Sequence, residues 1–385
     1  MNIVLFGAGS IGKAIAYYFL CNNIASKITL VDKNNNQLGS CVCDLSKYTS
    51  LKKLSVNNFT DIEKIISESD LVLLAVPWKA HSIIIESTIK YNKAMLTISR
   101  PTYDELPLLE KKLKGITSPV IIGCGLEPGL TEIMALHCAN YFDKLDELHI
   151  KCGGITNKAP NNTLKYKALY GTNYLPIAMR RAYSVENSTL IEVQRFSGKE
   201  NVYLPEIGEL EAWHDGMVPW LHQHKKIASA HTISQKTLRW PGFSDAIKKL
   251  NSLGLLDEKE IEINGVRVSP KKYIEHFYAD ETKLNDEDNK SILLINAAGD
   301  IDREKKKIQL KLISSNKNDM GLNSMALITG FTASIIGSFI LNGSIKNSGL
   351  LKPELIVQGE LLKKLILELN SYSVKLEINN DMGFL

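Results

Sequence analysis

Through its first 125 residues the chain alternates short, nearly all-apolar runs with longer mixed stretches. The runs Asn2–Phe6, Lys27–Val31, Leu71–Ala75, Ala94–Ile98 and Val120–Ile122 have strand length, and several are apolar almost throughout. Strands covered on both faces need that pattern. Gly12–Cys21 and His81–Lys90 lie between such runs and read as helices. Strand–helix alternation of this kind predicts a parallel, doubly wound sheet.

From about residue 145 the rhythm changes. Leu148–Cys152, Leu190–Phe196, Ser291–Ala298 and Lys307–Ser314 read as strands, the last two joined by the polar stretch Gly299–Lys306. In the last strand Ile308, Leu310 and Leu312 alternate with Gln309 and Lys311, so one face is wet. That alternation belongs to an antiparallel sheet. The expected class is α/β: an N-terminal Rossmann doubly wound parallel sheet plus a second α+β domain with a mainly antiparallel sheet. Residues 1–129 are expected to form the first domain, completed by 321–370 through helices near 325–341 and 354–370, and residues 130–320 the second. Asn34-Asn35-Asn36 reads as a loop.

Composition removes several function classes. A length of 385 residues implies two or three domains. The net charge of +4 is too small for a nucleic-acid binder, and Lys305-Lys306-Lys307 and Lys111-Lys112 read as solvated faces. Cys21, Cys41, Cys43, Cys124, Cys138 and Cys152 lack the paired spacing of a zinc site, so no metal is expected. The opening Asn2-Ile3-Val4-Leu5-Phe6 is strand material rather than a signal peptide, which favours a cytoplasmic location with free thiols. Met325–Leu341 is apolar but holds Thr329, Thr332, Ser334, Ser338 and two glycines. It is shorter than the ~20 residues that span a bilayer, so a buried helix is expected and no membrane partner.

Gly7-Ala8-Gly9-Ser10-Ile11-Gly12 follows the first strand and opens the first helix. In that setting G-x-G-x-x-G binds a dinucleotide. Gly7 permits the tight turn, Gly9 lets the pyrophosphate approach, and Gly12 lets the helix pack closely. The helix N-terminus faces the phosphate charge. Asp32 ends the second strand, where a carboxylate accepts ribose hydroxyls and repels a 2′-phosphate, favouring NAD with NADP possible. Lys33 beside it pulls the other way. Val76 and Pro77 end a later strand at the edge that faces the ligand crevice. Trp78 and Lys79 either line the nicotinamide side or, for Trp78, pack under the next helix.

Gly123-Cys124-Gly125-Leu126-Glu127-Pro128-Gly129 reads as a glycine turn leading into a helix, with Pro128 at the first helical position. Glu127 is either a site carboxylate that holds a cationic amine or a plain helix N-terminal acid.

These residues, together with Cys152-Gly153-Gly154 and the block Lys236-Thr237-Leu238-Arg239-Trp240-Pro241-Gly242-Phe243, resemble the saccharopine dehydrogenase-like family. Met325-Ala326-Leu327-Ile328-Thr329-Gly330 and Gly349-Leu350-Leu351-Lys352-Pro353-Glu354 are similar to its C-terminal pattern. The resemblance covers nearly the whole chain. It implies an NAD(P)-dependent oxidoreductase acting on a C–N bond of a small amino-acid substrate, and a homodimer. Leu210-Glu211-Ala212 and Asp32 resemble lysine 6-dehydrogenases. Phe243, the Glu127 turn and Tyr103 resemble saccharopine reductases. The leading expectation is a lysine 6-dehydrogenase-like oxidative deamination. The alternatives are a saccharopine reductase or carboxynorspermidine-type reductive condensation with NADPH, and a nicotinamide sensor without turnover.

Hydride loss from an amine-bearing carbon needs a neutral amine, a base working near neutral pH and a cation for the substrate carboxylate. Arg239 is either that cation, gripping the carboxylate through two parallel hydrogen bonds, or a structural arginine. Arg180 and Arg181 are the next choices. His214, oriented by Asp215, is either the base or a surface histidine. Tyr103, Cys152 and Glu127 complete the catalytic candidates.

Overall fold

A computed structural model describes residues 1–47, 54–57, 60–170, 175–285, 287–316 and 321–379. They divide into two units, Met1–His137 with Met325–Lys375, and Cys138–Ser324 with Leu376–Leu385.

In the first unit the strands β1 (Asn2–Phe6), β2 (Lys27–Val31), β3 (Leu54–Asn57), β4 (Leu71–Leu74), β5 (Ala94–Thr97) and β6 (Pro119–Ile121) lie in the order β6-β5-β4-β1-β2-β3. All pairs are parallel, and the late strand Gly349–Leu351 pairs in parallel with β6. This is the doubly wound order, with the reversal beside β1. The apolar runs are the reason. Ile3 to Phe6 and Leu71 to Leu74 are each at most 2% exposed, since helices cover both faces. The helices are α1 (Ser10–Cys21), α2 (Asn35–Leu45), α3 (Ile62–Ser67), α4 (Ser82–Lys90), α5 (Leu106–Lys112) and α6 (Leu130–Ala139).

The helix Ser324–Leu341 is long and apolar enough to cross a membrane, yet 78% of it is buried within the protein. Its small residues allow this. Gly330 faces Ala14 of α1, where an added Cβ would come within 2.7 Å of the Ala14 Cβ, and Gly337 faces Phe19, Leu71 and Leu73. The asparagine run is not a loop. Asn34 Oδ1 accepts the N–H groups of Asn36 and Gln37, so it caps α2, which Asn35 opens. The helix expected at 354–370 is two helices, Pro353–Ile356 and Glu360–Ser371, parted at Gly359 with φ +54°.

The second unit is built on a mixed sheet. Its strands are β7 (Lys144–Thr156), β8 (Arg181–Glu186), β9 (Thr189–Gln194), β10 (Glu200–Leu204), β11 (Gly208–His214), β12 (Thr232–Arg239), the small hairpin β13 (Ile261–Ile263) and β14 (Val266–Val268), β15 (Asn289–Ile301) and β16 (Glu304–Ser315). The main path is β10-β11-β12-β7-β15-β16, with Val374–Asn379 beyond β16, and β8 joins β12 to β9. The pairs from β10 to β16, with β8–β12 and β8–β9, are antiparallel except β7–β12, which is parallel. The β15–β16 strands run further than the sequence pattern suggests. Asp302 and Arg303, both at positive φ, close the hairpin in two residues, so Gly299–Ile301 and Glu304–Lys306 belong to the strands.

Alternation along β11 and β12 sorts their side chains onto two faces. Trp213 joins Tyr166, Phe196, Phe243 and Ile247 in one buried cluster. Ala212 and Leu238 join Leu210, Ile155 and Ile292 in another. The helix α7 (Phe243–Ser252) follows β12 through Gly242 at φ +107°.

Candidate active site

The glycine turn has two crowded positions and one open one. A Cβ on Gly7 (φ +101°) would lie 2.5 Å from the Ala75 carbonyl oxygen, and one on Gly12 would collide with the Gly7 carbonyl. On Gly9 the nearest atom would be Gln37 Nε2 at 3.5 Å, an ordinary contact. Packing therefore explains Gly7 and Gly12, while Gly9 leaves free space at the start of α1. That helix has no side-chain cap and no acid in its first turn, although Ser10 and Ile11 begin it. Its N–H groups and dipole face the opening, an arrangement that suits a pyrophosphate.

Asp32 braces this turn from the end of β2. Its Oδ2 accepts the Ala8 N–H at 2.9 Å and its Oδ1 accepts the Asn34 N–H at 2.9 Å.

At the ends of β4 and β5, Val76 and Pro77 lead into a network absent from the sequence reading. The Ser99 hydroxyl donates to the Val76 carbonyl at 2.8 Å. Thr97 Oγ1 accepts the Ser99 N–H at 3.0 Å and lies 2.7 Å from His81 Nε2. His81 Nδ1 sits 2.9 Å from the Trp78 carbonyl. Burial lowers His81 to about 4, which keeps the imidazole neutral. Trp78 stacks on His81 with centroids 4.7 Å apart, so packing accounts for it.

The turn after β6 folds back on itself. Gly125 N–H donates to the Pro128 carbonyl at 2.7 Å, and Leu130 N–H to the Gly125 carbonyl at 2.8 Å. The Glu127–Pro128 bond is cis, and α6 starts at Leu130, so Pro128 is not its first residue. Glu127 is exposed at the tip. The acid at the helix start is Glu132, whose Oε2 accepts Gly129 N–H at 2.6 Å and the Thr131 hydroxyl at 2.7 Å. Tyr103 is half-buried between Thr102 and Glu105, which cap one another: Glu105 accepts Thr102 N–H at 2.8 Å and Thr102 Oγ1 accepts Glu105 N–H at 3.3 Å.

In the second unit the strand register separates two candidates. Across β11 and β12, Trp213 is opposite Thr237 and Glu211 opposite Arg239, while His214 is opposite Lys236. His214 therefore lies on the other face of the sheet from Arg239. Burial lowers it to about 4, helped by Lys236. Asp215 does not orient it. That carboxylate binds Arg195 Nε, Arg180 Nη2 at 2.9 Å and the Thr237 hydroxyl at 2.7 Å. The His214–Asp215 pair thus does not form, because two arginines capture the acid. These arginines hold Asp215 far below the usual carboxylate range against the cost of burial.

Arg239 is 4% exposed. Its Nη1 donates to the Leu238 carbonyl at 2.7 Å, its Cζ lies 5.4 Å from the Tyr166 ring centroid, and its Nε has no hydrogen-bond partner among the described residues. No ion pair forms on it among the described residues. Gly153 makes room for it, since a Cβ there would lie 2.9 Å from Nη1. Cys152, buried, is the register neighbour of Thr237 on the same face. Glu211 is a helix cap: it accepts Gly242 N–H at 3.0 Å and Ser244 N–H at 2.7 Å. Arg181 makes a surface pair with Glu192 at 3.7 Å.

Residues 125–374 match the family model of the saccharopine dehydrogenase C-terminal domain, and residues 3–117 that of the saccharopine dehydrogenase NADP binding domain. The chain belongs to the saccharopine dehydrogenase family. Its first unit is accordingly an NAD(P)-binding domain. This family member is 26% identical over 268 residues to saccharopine dehydrogenase (NADP(+), L-glutamate-forming) of Schizosaccharomyces pombe, across 67% of this chain and 58% of that one. It is 22% identical over 426 residues to the Saccharomyces cerevisiae protein of the same name, across 91% and 93%. To alpha-aminoadipic semialdehyde synthase of Arabidopsis thaliana it is 27% identical over 231 residues, which is 21% of that longer protein. The first two relatives named as matches over part of their length are thus spanned for less than two thirds. Apo saccharopine dehydrogenase (L-Glu forming) from Saccharomyces cerevisiae has the same fold, with a TM-score of 0.80 at 18% identity over 98% of this chain and 99% of that one.

Within this saccharopine dehydrogenase family member the candidates divide by unit. Gly7, Gly9, Ser10, Ile11, Gly12, Asp32, Val76, Pro77, Tyr103 and Glu127 belong to the first, and Cys152, His214, Asp215 and Arg239 to the second. The register joins Cys152 and Arg239 on one face and takes His214 away.

Proposed function

We propose that the protein is an NAD(P)-dependent oxidoreductase acting on a C–N bond of an amino acid, with a secondary amine of the saccharopine type as substrate. The observation that carries the reading is Arg239, a buried guanidinium whose Nε is unpartnered among the described residues. Leaving a buried charge without a counter-ion costs several kcal/mol, and a substrate carboxylate would supply one. Arg239 would hold that carboxylate, and the Tyr166 ring limits the guanidinium's orientation. The bound nicotinamide supplies the hydride acceptor or donor. Gly9 and the open start of α1 would hold its pyrophosphate, with Asp32 toward the adenosine ribose. In the oxidative direction the substrate nitrogen must first lose its ammonium proton to a general base. Water then adds to the imine carbon and the C–N bond breaks to carbonyl and amine. The two yeast relatives named as L-glutamate-forming saccharopine dehydrogenases favour this substrate.

Lysine 6-dehydrogenase activity is the second reading, favoured by Asp32 at the end of β2. Glu211 no longer argues for it, since that carboxylate is engaged in capping α7. Assay of the full chain with NAD or NADP against L-saccharopine and L-lysine separates the two. Turnover with lysine alone would reject the first. Cofactor binding without turnover on either would reject both and favour a sensor. Family likeness also leads us to propose a homodimer, and light scattering that returns the chain mass of 42.9 kDa would reject it.

A further inference from the structure

A chain of hydrogen bonds joins the ends of β4 and β5 through one buried side chain. His81 stands just before α4 and is 1% exposed. Its Nδ1 lies 2.9 Å from the Trp78 carbonyl oxygen and 3.1 Å from that of Pro77. Carbonyl oxygens only accept, so Nδ1 carries a hydrogen. Its Nε2 lies 2.7 Å from Thr97 Oγ1, which already accepts the Ser99 N–H at 3.0 Å. Thr97 is fully buried, and Nε2 is the acceptor for its hydroxyl hydrogen among the described residues. The network therefore assigns the neutral tautomer, with Nδ1–H donating and Nε2 accepting. A ring with its hydrogen on Nε2 would turn a lone pair toward two carbonyl oxygens.

We propose that His81 is a positioning residue: as the Nδ1–H tautomer it ties the loop of residues 76–78 to the end of β5 and so sets the backbone that meets the nicotinamide half of the cofactor. The loop borders the glycine turn, since the Ala75 carbonyl oxygen would lie 2.5 Å from a Cβ on Gly7. In a doubly wound sheet one set of strands takes each mononucleotide half. The glycine turn and Asp32 stand at the ends of β1 and β2, on the adenosine side, which leaves the ends of β4 and β5 to the nicotinamide. Two links hold the loop there. The Ser99 hydroxyl takes the Val76 carbonyl directly, and Thr97 reaches Pro77 and Trp78 through His81. Trp78, stacked on the ring, fixes its plane. The proposal rests on the reading of the first unit as an NAD(P)-binding domain and on nothing about the amino-acid substrate.

Two amides separate the roles of the ring nitrogens. His81→Asn places an N–H where Nδ1 stands and gives up Nε2. His81→Gln places an oxygen where Nε2 stands and gives up the donor to the loop. Fluorescence titration of the full chain with NADH, and competition by ADP-ribose, which lacks the nicotinamide, read the two halves of the site. In His81→Gln the NADH dissociation constant should rise by about 10-fold while that of ADP-ribose holds. His81→Asn should keep wild-type affinity for both. Nitrogen NMR of histidine-labelled wild type at neutral pH should show hydrogen on Nδ1 of His81 and none on Nε2, a readout that needs no variant to fold. Wild-type NADH affinity in His81→Gln would overturn the proposal. So would equal losses for NADH and ADP-ribose, which mark a general structural role, or hydrogen on Nε2. Wild-type protein that binds neither ligand would overturn the cofactor reading itself, and that outcome is seen before any substitution is made.

Discussion

The glycine turn permits a separation of roles that a motif match cannot. Gly9→Ala and Gly12→Ala each add one methyl group, three residues apart. At Gly12 the new Cβ would overlap the Gly7 carbonyl, so α1 must move off β1. Overpacking of this kind costs about 1–3 kcal/mol, and the melting temperature should fall by several degrees. At Gly9 the backbone is extended, with φ −70° and ψ −173°, which alanine adopts without strain. Its Cβ would meet only Gln37 Nε2 at 3.5 Å. The apo melting temperature should hold or rise slightly, since a compatible Gly→Ala change gains about 0.4–1 kcal/mol from the unfolded chain. Cofactor binding should respond in the opposite sense. A methyl at Gly9 stands where the pyrophosphate must approach the N–H groups of α1, and losing one charge-assisted hydrogen bond there costs ~1.5–3 kcal/mol. The dissociation constant should rise by about 10- to 100-fold. Fluorescence titration with NADH and NADPH, beside thermal melting without ligand, measures both quantities. Wild-type affinity in Gly9→Ala, or wild-type melting in Gly12→Ala, would refute this division of labour.

Arg239→Met keeps most of the stem volume and removes the cation; kcat/KM should fall by about 10²–10³ with cofactor affinity unchanged, and Arg239→Lys should recover part of it. A comparable loss of cofactor affinity would make Arg239 structural. His214→Gln should alter kcat/KM by no more than a few-fold, because the ring lies on the opposite sheet face and stays neutral above about 4; a 10²-fold loss in steady-state assays would restore it as the base. Wild-type protein should bind NAD more tightly than NADP, and Asp32→Asn should narrow the gap while retaining an acceptor for the Ala8 N–H. Tighter NADP binding by the wild type in the same titration would overturn the role given to Asp32.

The parts of the fold visible in the sequence are those set by local pattern. The apolar runs locate β1 and β2 with the same limits as the structure, and the glycine spacing marks the loop between β1 and α1. Small residues in Met325–Leu341 foretell a buried helix, and the structure packs it against α1. What pattern could not supply is register between strands distant in sequence. His214 and Arg239 both sit near strand ends, but only the pairing of β11 with β12 puts them on opposite faces. Asp215 looked available to His214 because they are adjacent, whereas its partners Arg195 and Arg180 lie 20 and 35 residues away. Pro128 resembled a helix-opening proline, but the Gly125–Gly129 closure delays α6 to Leu130. The same closure brings in Glu132, for which the sequence offered one signal only: an acid three residues after Gly129 at a helix start. His81 gave none, since its value lies in Thr97 and Trp78 contacts made by folding.

The central claim is hydride transfer at an amino-acid C–N bond, and nicotinamide absorbance tests it most directly. Purified full-length protein is mixed with NAD or NADP and L-saccharopine, with L-lysine as the competing substrate. The account predicts reduced nicotinamide forming with saccharopine, in amounts equal to the amino acid released, and loss of that signal in Arg239→Met. No reduced nicotinamide with either substrate, in protein shown by titration to bind the cofactor, would contradict it.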